Sequence, residues 1–190
     1  MGTDQQSNSA GGHQSDSEFI DELTQIFRAE QALLKALPFF AKGAVSKELT
    51  STFDLYAAQT GEHISKLKQI FNHLGKSPKN AYPNIQQHIL QAEKVISNSE
   101  LTAAARDLEL ISAAKKIVQF QSENYRELES KALSLGHGNV ADIIESIFNQ
   151  EKEREAIFIK LEVEHVSSNK GKDEKVQERY RFTFNKSTGH

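Results

Sequence analysis

Apolar residues recur at steps of three and four through most of this chain, in four long stretches separated by clear breaks. The plainest stretch reads Leu49, Phe53, Tyr56, Thr60, His63, Leu67, Ile70 and Leu74. An α-helix turns once per about 3.6 residues, so those steps place every member on one helix face. This helix is expected to start near Ser46 and to end at Gly75. An earlier stripe, Phe19, Leu23, Ile26/Phe27, Leu33/Leu34 and Leu37, follows Ser15, Asp16, Ser17 and Glu18, a capping-box pattern that marks a helix start. It runs to Gly43, a residue suited to a left-handed stop, and Pro38 should kink its last turns. A third seam, Leu108, Ile111, Ala114, Val118, Gln121 and Tyr125, lies on a helix expected between Ser99 and Gly136. The fourth, with Val140, Ile144, Ile147, Phe158 and Leu161, should start after Asn139 as its N-cap and run to about His165. Between the second and third helices come Pro78, Pro83 and a short helix over roughly Ile85 to Ile96.

Two helical pairs joined by one long middle connection predict an all-α, ferritin-like four-helix bundle. Simple up-down bundles have short loops throughout, whereas the ferritin-like order needs a long crossover, here with a short extra helix inside it. The ends differ in composition. Residues 1–14 are polar and residues 166–190 mostly so, and segments that bury little apolar surface cannot offset their ordering entropy. Both are therefore expected to be flexible tails around a bundle spanning 15–165. In the second tail Tyr180, Phe182 and Phe184 alternate with polar residues, which suits a floppy tail, a short strand or a peptide that docks on a protein partner.

Composition narrows the function. A chain of 190 residues is long enough for one domain with a substantial core, and the absence of cysteine excludes disulfides, thiolate metal sites and cysteine nucleophiles. The formal net charge is -3, and the bundle carries no basic stripe of the kind that neutralises phosphates, so no nucleic-acid partner is expected. No apolar run is long enough for a bilayer and no secretory signal is visible, which points to a cytoplasmic protein away from the membrane. Neither a phosphate-cradling glycine loop nor a Ser/His/Asp set is present.

The informative residues are the polar ones that interrupt the apolar seams. Glu30 lies four residues after Ile26 and four before Leu34 and so points inward. Glu151 falls four after Ile147, and Glu155, four further on, flanks the same face. His63 is on the second seam, with Gln59 at its edge. Buried carboxylates are costly unless paired or bound to a metal, and acids with an imidazole at mid-height are the makings of a carboxylate-bridged metal site. Glu30, His63, Glu151 and Glu155 are thus the candidate metal ligands. The full di-metal arrangement also needs Glu-x-x-His on two helices, which this chain lacks, and its third helix offers only Val118, Phe120 and the neutral amide of Gln121. In the competing structural reading, Glu30 pairs with His63, Lys152 or Arg154 and no metal is involved.

The residues Phe27 to Pro38 (FRAEQALLKALP), Gln59 to Leu67 (QTGEHISKL) with Ile70, Phe71, Leu74 and Gly75, Ile111 to Lys116 (ISAAKK), Leu135 to His137 and Gln150 to Lys152 resemble the YciE/YciF family of ferritin-like proteins over about residues 18–163. The resemblance implies a bacterial, stress-linked helical protein, usually dimeric, with a candidate di-metal site. Glu30 and Glu151 match acids of the family pattern, Glu155 stands where Asp is usual, and His63 where Gln or His is found. Elsewhere the chain departs. Tyr56 replaces a usual His, Val118-Gln119-Phe120-Gln121 replaces Glu-His-Tyr-Glu, and Gln150 replaces another Glu. The expectation is a homodimeric, non-catalytic member with a degenerate metal site and no cofactor, acting by binding or scaffolding. The alternative is a ferritin-like oxidoreductase or metal-handling protein carrying iron or manganese, in a mononuclear or di-iron site.

Overall fold

The computed structural model describes the backbone of residues 7–187 and the side chains of residues 14–168. Its elements are α1 (Ser7–Gly43), α2 (Lys47–His73), α3 (Gln86–Ser97), α4 (Ala103–Ser134) and α5 (Gly138–Ser187). α1 packs on α2 and α4 on α5, as short connections require, while α3 lies in the crossover against α1 and α4. The expected all-α bundle with an extra crossover helix is the observed architecture. Among the described residues no helix is long and apolar enough to cross a membrane.

Local chemistry sets the helix ends. Ser46 caps α2 by accepting from the Leu49 amide, and Thr102 caps α4 by accepting from that of Ala105. Gly75 and Gly136 adopt positive φ (62° and 79°), and the following amides of Lys76 and His137 bond back to the carbonyls of Phe71 and Ala132. Gly43 does not follow that pattern, since its φ is not positive. Close packing explains the residue instead: a Cβ there would stand 2.5 Å from Ile96 Cγ1 of α3. The crossover is tied to α1 by Arg28, which donates from Nε and Nη2 to the Lys79 carbonyl at 3.1 and 2.8 Å.

Three expected boundaries move. α1 passes through Ser15–Glu18 and reaches back to Ser7, and α5 runs on to Ser187, so residues 7–14 and 166–187 have helical backbone. A helix already nucleated by packing gains one backbone bond for each residue added, which favours extension over a new start. The strand alternative for Tyr180, Phe182 and Phe184 therefore falls, and their side chains lie outside the described residues, as do residues 1–6 and 188–190 altogether. Asn139 is inside α5, which begins at Gly138. The core positions on α4 include Asp107, Leu110, Ile111, Ile117, Val118 and Gln121, with Leu108 half-buried.

Asp107 is the unexpected member. Its Oδ1 and Oδ2 accept from the backbone amides of Val45 and Ser46, both at 2.7 Å, and so hold the α1–α2 turn against α4.

Candidate functional site

The core is two apolar clusters separated by a polar layer. One cluster holds Leu33 to Ala41, Leu49 to Tyr56, Leu110 to Val118, Phe158 and Leu161. The other holds Phe19 to Phe27, Ile64 to Phe71, Tyr125 to Ala132 and Val140 to Ile147. Each long helix changes from one cluster to the other at the same level, and there it carries buried polar groups: Glu30 on α1, Thr60 and His63 on α2, Gln121 and Ser122 on α4, Glu151 and Arg154 on α5.

Glu30, His63 and Glu151 converge as the seam periodicity predicts. All three are 0% exposed. His63 Nδ1 stands 3.3 Å from Glu30 Oε1 and 3.4 Å from Glu151 Oε1. One ligand atom from each lies within 4.8 Å of the others. The far ring nitrogen, Nε2, is 3.0 Å from Gln150 Oε1, which also accepts from Lys66 Nζ at 3.4 Å. Lys66 thereby fixes the oxygen end of that amide toward the ring. His63 Nε2–H then donates outward, and Nδ1 faces two carboxylate oxygens.

Glu30 Oε1 is heavily used. It accepts from the Tyr125 hydroxyl at 2.5 Å and from Gln121 Nε2 at 3.0 Å. Burial and the Glu30 charge push the Tyr125 hydroxyl well above its usual value, so it remains a donor. Glu151 Oε1 accepts from Arg154 Nη1, and Arg154 Nη2 donates to Gln59 Oε1 at 2.8 Å. The guanidinium lies over the Tyr56 ring, 3.8 Å from its centroid, and Arg154 is 2% exposed. Burial raises the Glu151 carboxyl from its ordinary value; Arg154 is the first influence opposing this, Glu30 adds to the rise and His63 opposes it. Burial works against the charged form of Arg154, and the charge and hydrogen bond of Glu151, with Tyr56 and Glu30, together more than offset this. Among the described residues, neither Glu30 Oε2 nor Glu151 Oε2 has a hydrogen-bond partner.

Glu155 does not join them. It is half-buried between α4 and α5, accepts from Gln119 Nε2 at 3.0 Å, and pairs with Lys152. Those bonds hold its carboxyl below the usual range. Residues three and four after Glu151 both neighbour it on the helix surface, and the structure turns Arg154 inward rather than Glu155. Of the structural pairings foreseen for Glu30, His63 is adjacent, whereas Arg154 serves Glu151 and Lys152 serves Glu155.

The donors do not fit a di-metal centre. Such a centre needs several anionic oxygens, and the layer supplies two carboxylates, one already engaged by a guanidinium. Val118 is apolar, and Gln121 gives its amide nitrogen to Glu30 and offers only a neutral oxygen, without a partner among the described residues. Two unpartnered carboxylate oxygens and His63 Nδ1 do match the chemistry of a single divalent cation. Sequence reasoning gave no role to Tyr125 or Asp107. A phenol on an apolar seam was the available signal for Tyr125, because a buried hydroxyl needs a partner. For Asp107 the signal was its place one turn before Leu110 and Ile111 on the extended seam.

Residues 14–169 match the family described as a domain of unknown function, DUF892. Protein YciF of Escherichia coli (strain K12) is 25% identical over 151 residues, covering 78% of this chain and 90% of that protein. The crystal structure described as that of the E. coli stress protein YciF superposes with a TM-score of 0.78 at 24% identity, over 80% of this chain and 97% of the other. A protein described as YcfI, a putative structural protein from Rhodopseudomonas palustris, superposes with a TM-score of 0.72 at 23% identity, over 76% and 92%.

Proposed function

Because this chain belongs to the DUF892 family, we propose that it is a stress-associated ferritin-like protein that acts by binding or scaffolding, its ancestral di-metal site closed by protein charges. The observation that carries the reading is the make-up of the polar layer. Two acids face a buried arginine and a histidine, and the third long helix adds an amide and a valine where carboxylates would be needed. The description of its E. coli relative as a stress protein supports the physiological setting, and that of the R. palustris neighbour as a putative structural protein supports a non-catalytic role. We further propose a homodimer, on the family resemblance, and a cytoplasmic location.

Metal analysis of protein purified without chelators tests this directly. Well under one iron or manganese per chain is expected. Adding Fe²⁺ or Mn²⁺ should leave the melting temperature almost unchanged, because only a ligand that binds the native state stabilises it by mass action. Two metals per chain would overturn the reading. The second reading, a mononuclear metal-handling site at Glu30, His63 and Glu151, is favoured by their convergence and by the unpartnered Glu30 Oε2 and Glu151 Oε2. One tightly held metal per chain would establish it instead.

A further inference from the structure

We infer that Arg154 is a built-in counter-cation: its guanidinium supplies the positive charge that a divalent metal would bring to Glu151, and its presence keeps the Glu30–His63–Glu151 cluster closed to metal. This rests on the closed-site reading above and names what closes it.

Four observations support the assignment. Arg154 is buried in the layer itself, one helical turn from Glu151, and its Nη1 bonds the same Glu151 oxygen that stands 3.4 Å from His63 Nδ1. It thus already neutralises a carboxylate that a cation between the three ligands would need. Gln59 and the Tyr56 ring hold the guanidinium in place, at 2.8 Å from Nη2 and 3.8 Å from the ring centroid. Both neighbours suit an arginine: the amide oxygen accepts an N–H, and the aromatic face attracts a planar cation. The charge is needed, since two carboxylates held this close in a water-poor core repel each other. Finally, the second oxygens of both acids lack partners and the His63 ring is oriented from behind by Gln150 and Lys66. The cluster is therefore arranged for a cation, and the one it has is on the chain.

Removing the guanidinium should consequently convert the cluster into a site for a divalent first-row metal with two carboxylates and one imidazole as ligands. The test uses the natural full-length protein, Arg154→Gln and Arg154→Lys, each stripped with chelator and titrated with Co²⁺. The readouts are visible d–d absorption and thermal unfolding. Arg154→Gln should take up one Co²⁺ per chain, at least about tenfold more tightly than the natural protein, and its melting temperature should rise with metal. Arg154→Lys keeps the charge and should stay metal-free. Adding His63→Gln to Arg154→Gln should abolish uptake.

A folded Arg154→Gln that shows neither absorption nor a melting shift would overturn the inference while leaving the closed-site reading intact. Equal uptake by Arg154→Lys would also overturn it, because charge would then not be what excludes metal. Tight Co²⁺ uptake by the natural protein would instead overturn the closed-site reading. Should Arg154→Gln not fold alone, it is refolded with and without Co²⁺. Recovery of helical circular dichroism only with metal supports the inference, and no recovery with metal overturns it.

Discussion

Among the described residues, two places bury carboxylates, and they use them in opposite ways. Asp107 spends both oxygens on backbone amides, those of Val45 and Ser46, at 2.7 Å each. His165 Nε2 stands 3.7 Å from its Oδ2. At mid-height Glu30 and Glu151 each use one oxygen and leave the other without a partner. The first carboxylate is a fastener, since every lone pair that matters is matched by a donor fixed in the chain. The second pair is an electrostatic centre, held together by the charges on either side of it. Burial alone does not separate the two cases, as all three acids are nearly inaccessible. The partner list does, because an unused buried oxygen keeps room for another donor or a cation.

The comparison can be broken most forcefully at Val118. Val118→Glu would add a third acid beside the layer with no new cation, and an uncompensated buried charge costs about 3–5 kcal/mol. Urea unfolding should show a loss of that size. Adding Gln121→Glu should deepen it without metal and reverse it with Fe²⁺ or Mn²⁺, if these positions share a target with Glu30 and Glu151. Equal stability of the double variant with and without metal would mean that they do not converge.

Next in size is Asp107→Asn. The amide keeps one acceptor but turns its NH₂ toward a backbone N–H, so one part-buried amide loses a bond to a charged group, at a cost of about 1.5–3 kcal/mol. The same chemical change at Glu30 should be far milder. In Glu30→Gln the carbonyl oxygen can still accept from Tyr125 and Gln121, and the NH₂ replaces an oxygen that had no partner. Its effect should stay within about 1 kcal/mol by the same unfolding assay. A Glu30→Gln loss equal to that of Asp107→Asn would erase the proposed distinction.

The smallest effect concerns pH. The Glu151 carboxyl is raised above its ordinary value of 4.5, chiefly by burial, with Arg154 the first opposing influence. A carboxyl with a raised folded-state value binds its proton more tightly in the native protein. Its contribution to stability is full below the unfolded value and is lost as pH rises through the folded one. Arg154→Gln removes the opposing charge and should raise the folded value further. The variant should therefore lose stability more steeply than the natural protein as pH climbs from about 4.5, with an extra slope of at most about 1.4 kcal/mol per pH unit. Unfolding curves at a series of pH values check this, and parallel profiles would mean that Arg154 does not act on Glu151.

The bundle itself was legible in the sequence. Steps of three and four, a start at Ser46 and stops at Gly75 and Gly136 are local signals, and helices obey local signals because their hydrogen bonds are local. The inward aim of Glu30, His63 and Glu151 was legible for the same reason, since each sits in phase with an apolar seam. Three things were decided only in three dimensions. Gly43 is tied to the approach of Ile96, some fifty residues on, and its own backbone angle gives no sign of this. Asp107 owes its role to amides more than sixty positions earlier in the chain. Arg154 and Glu155 stand on opposite flanks of the same helix stripe, and periodicity cannot choose between them. The choice belongs to the neighbours: Tyr56, Gln59 and Glu151 receive the arginine, while Gln119 and Lys152 hold the glutamate outside. A sequence sets the angle at which a side chain leaves its helix, but the free energy of burying its charge depends on which groups the other helices bring to meet it.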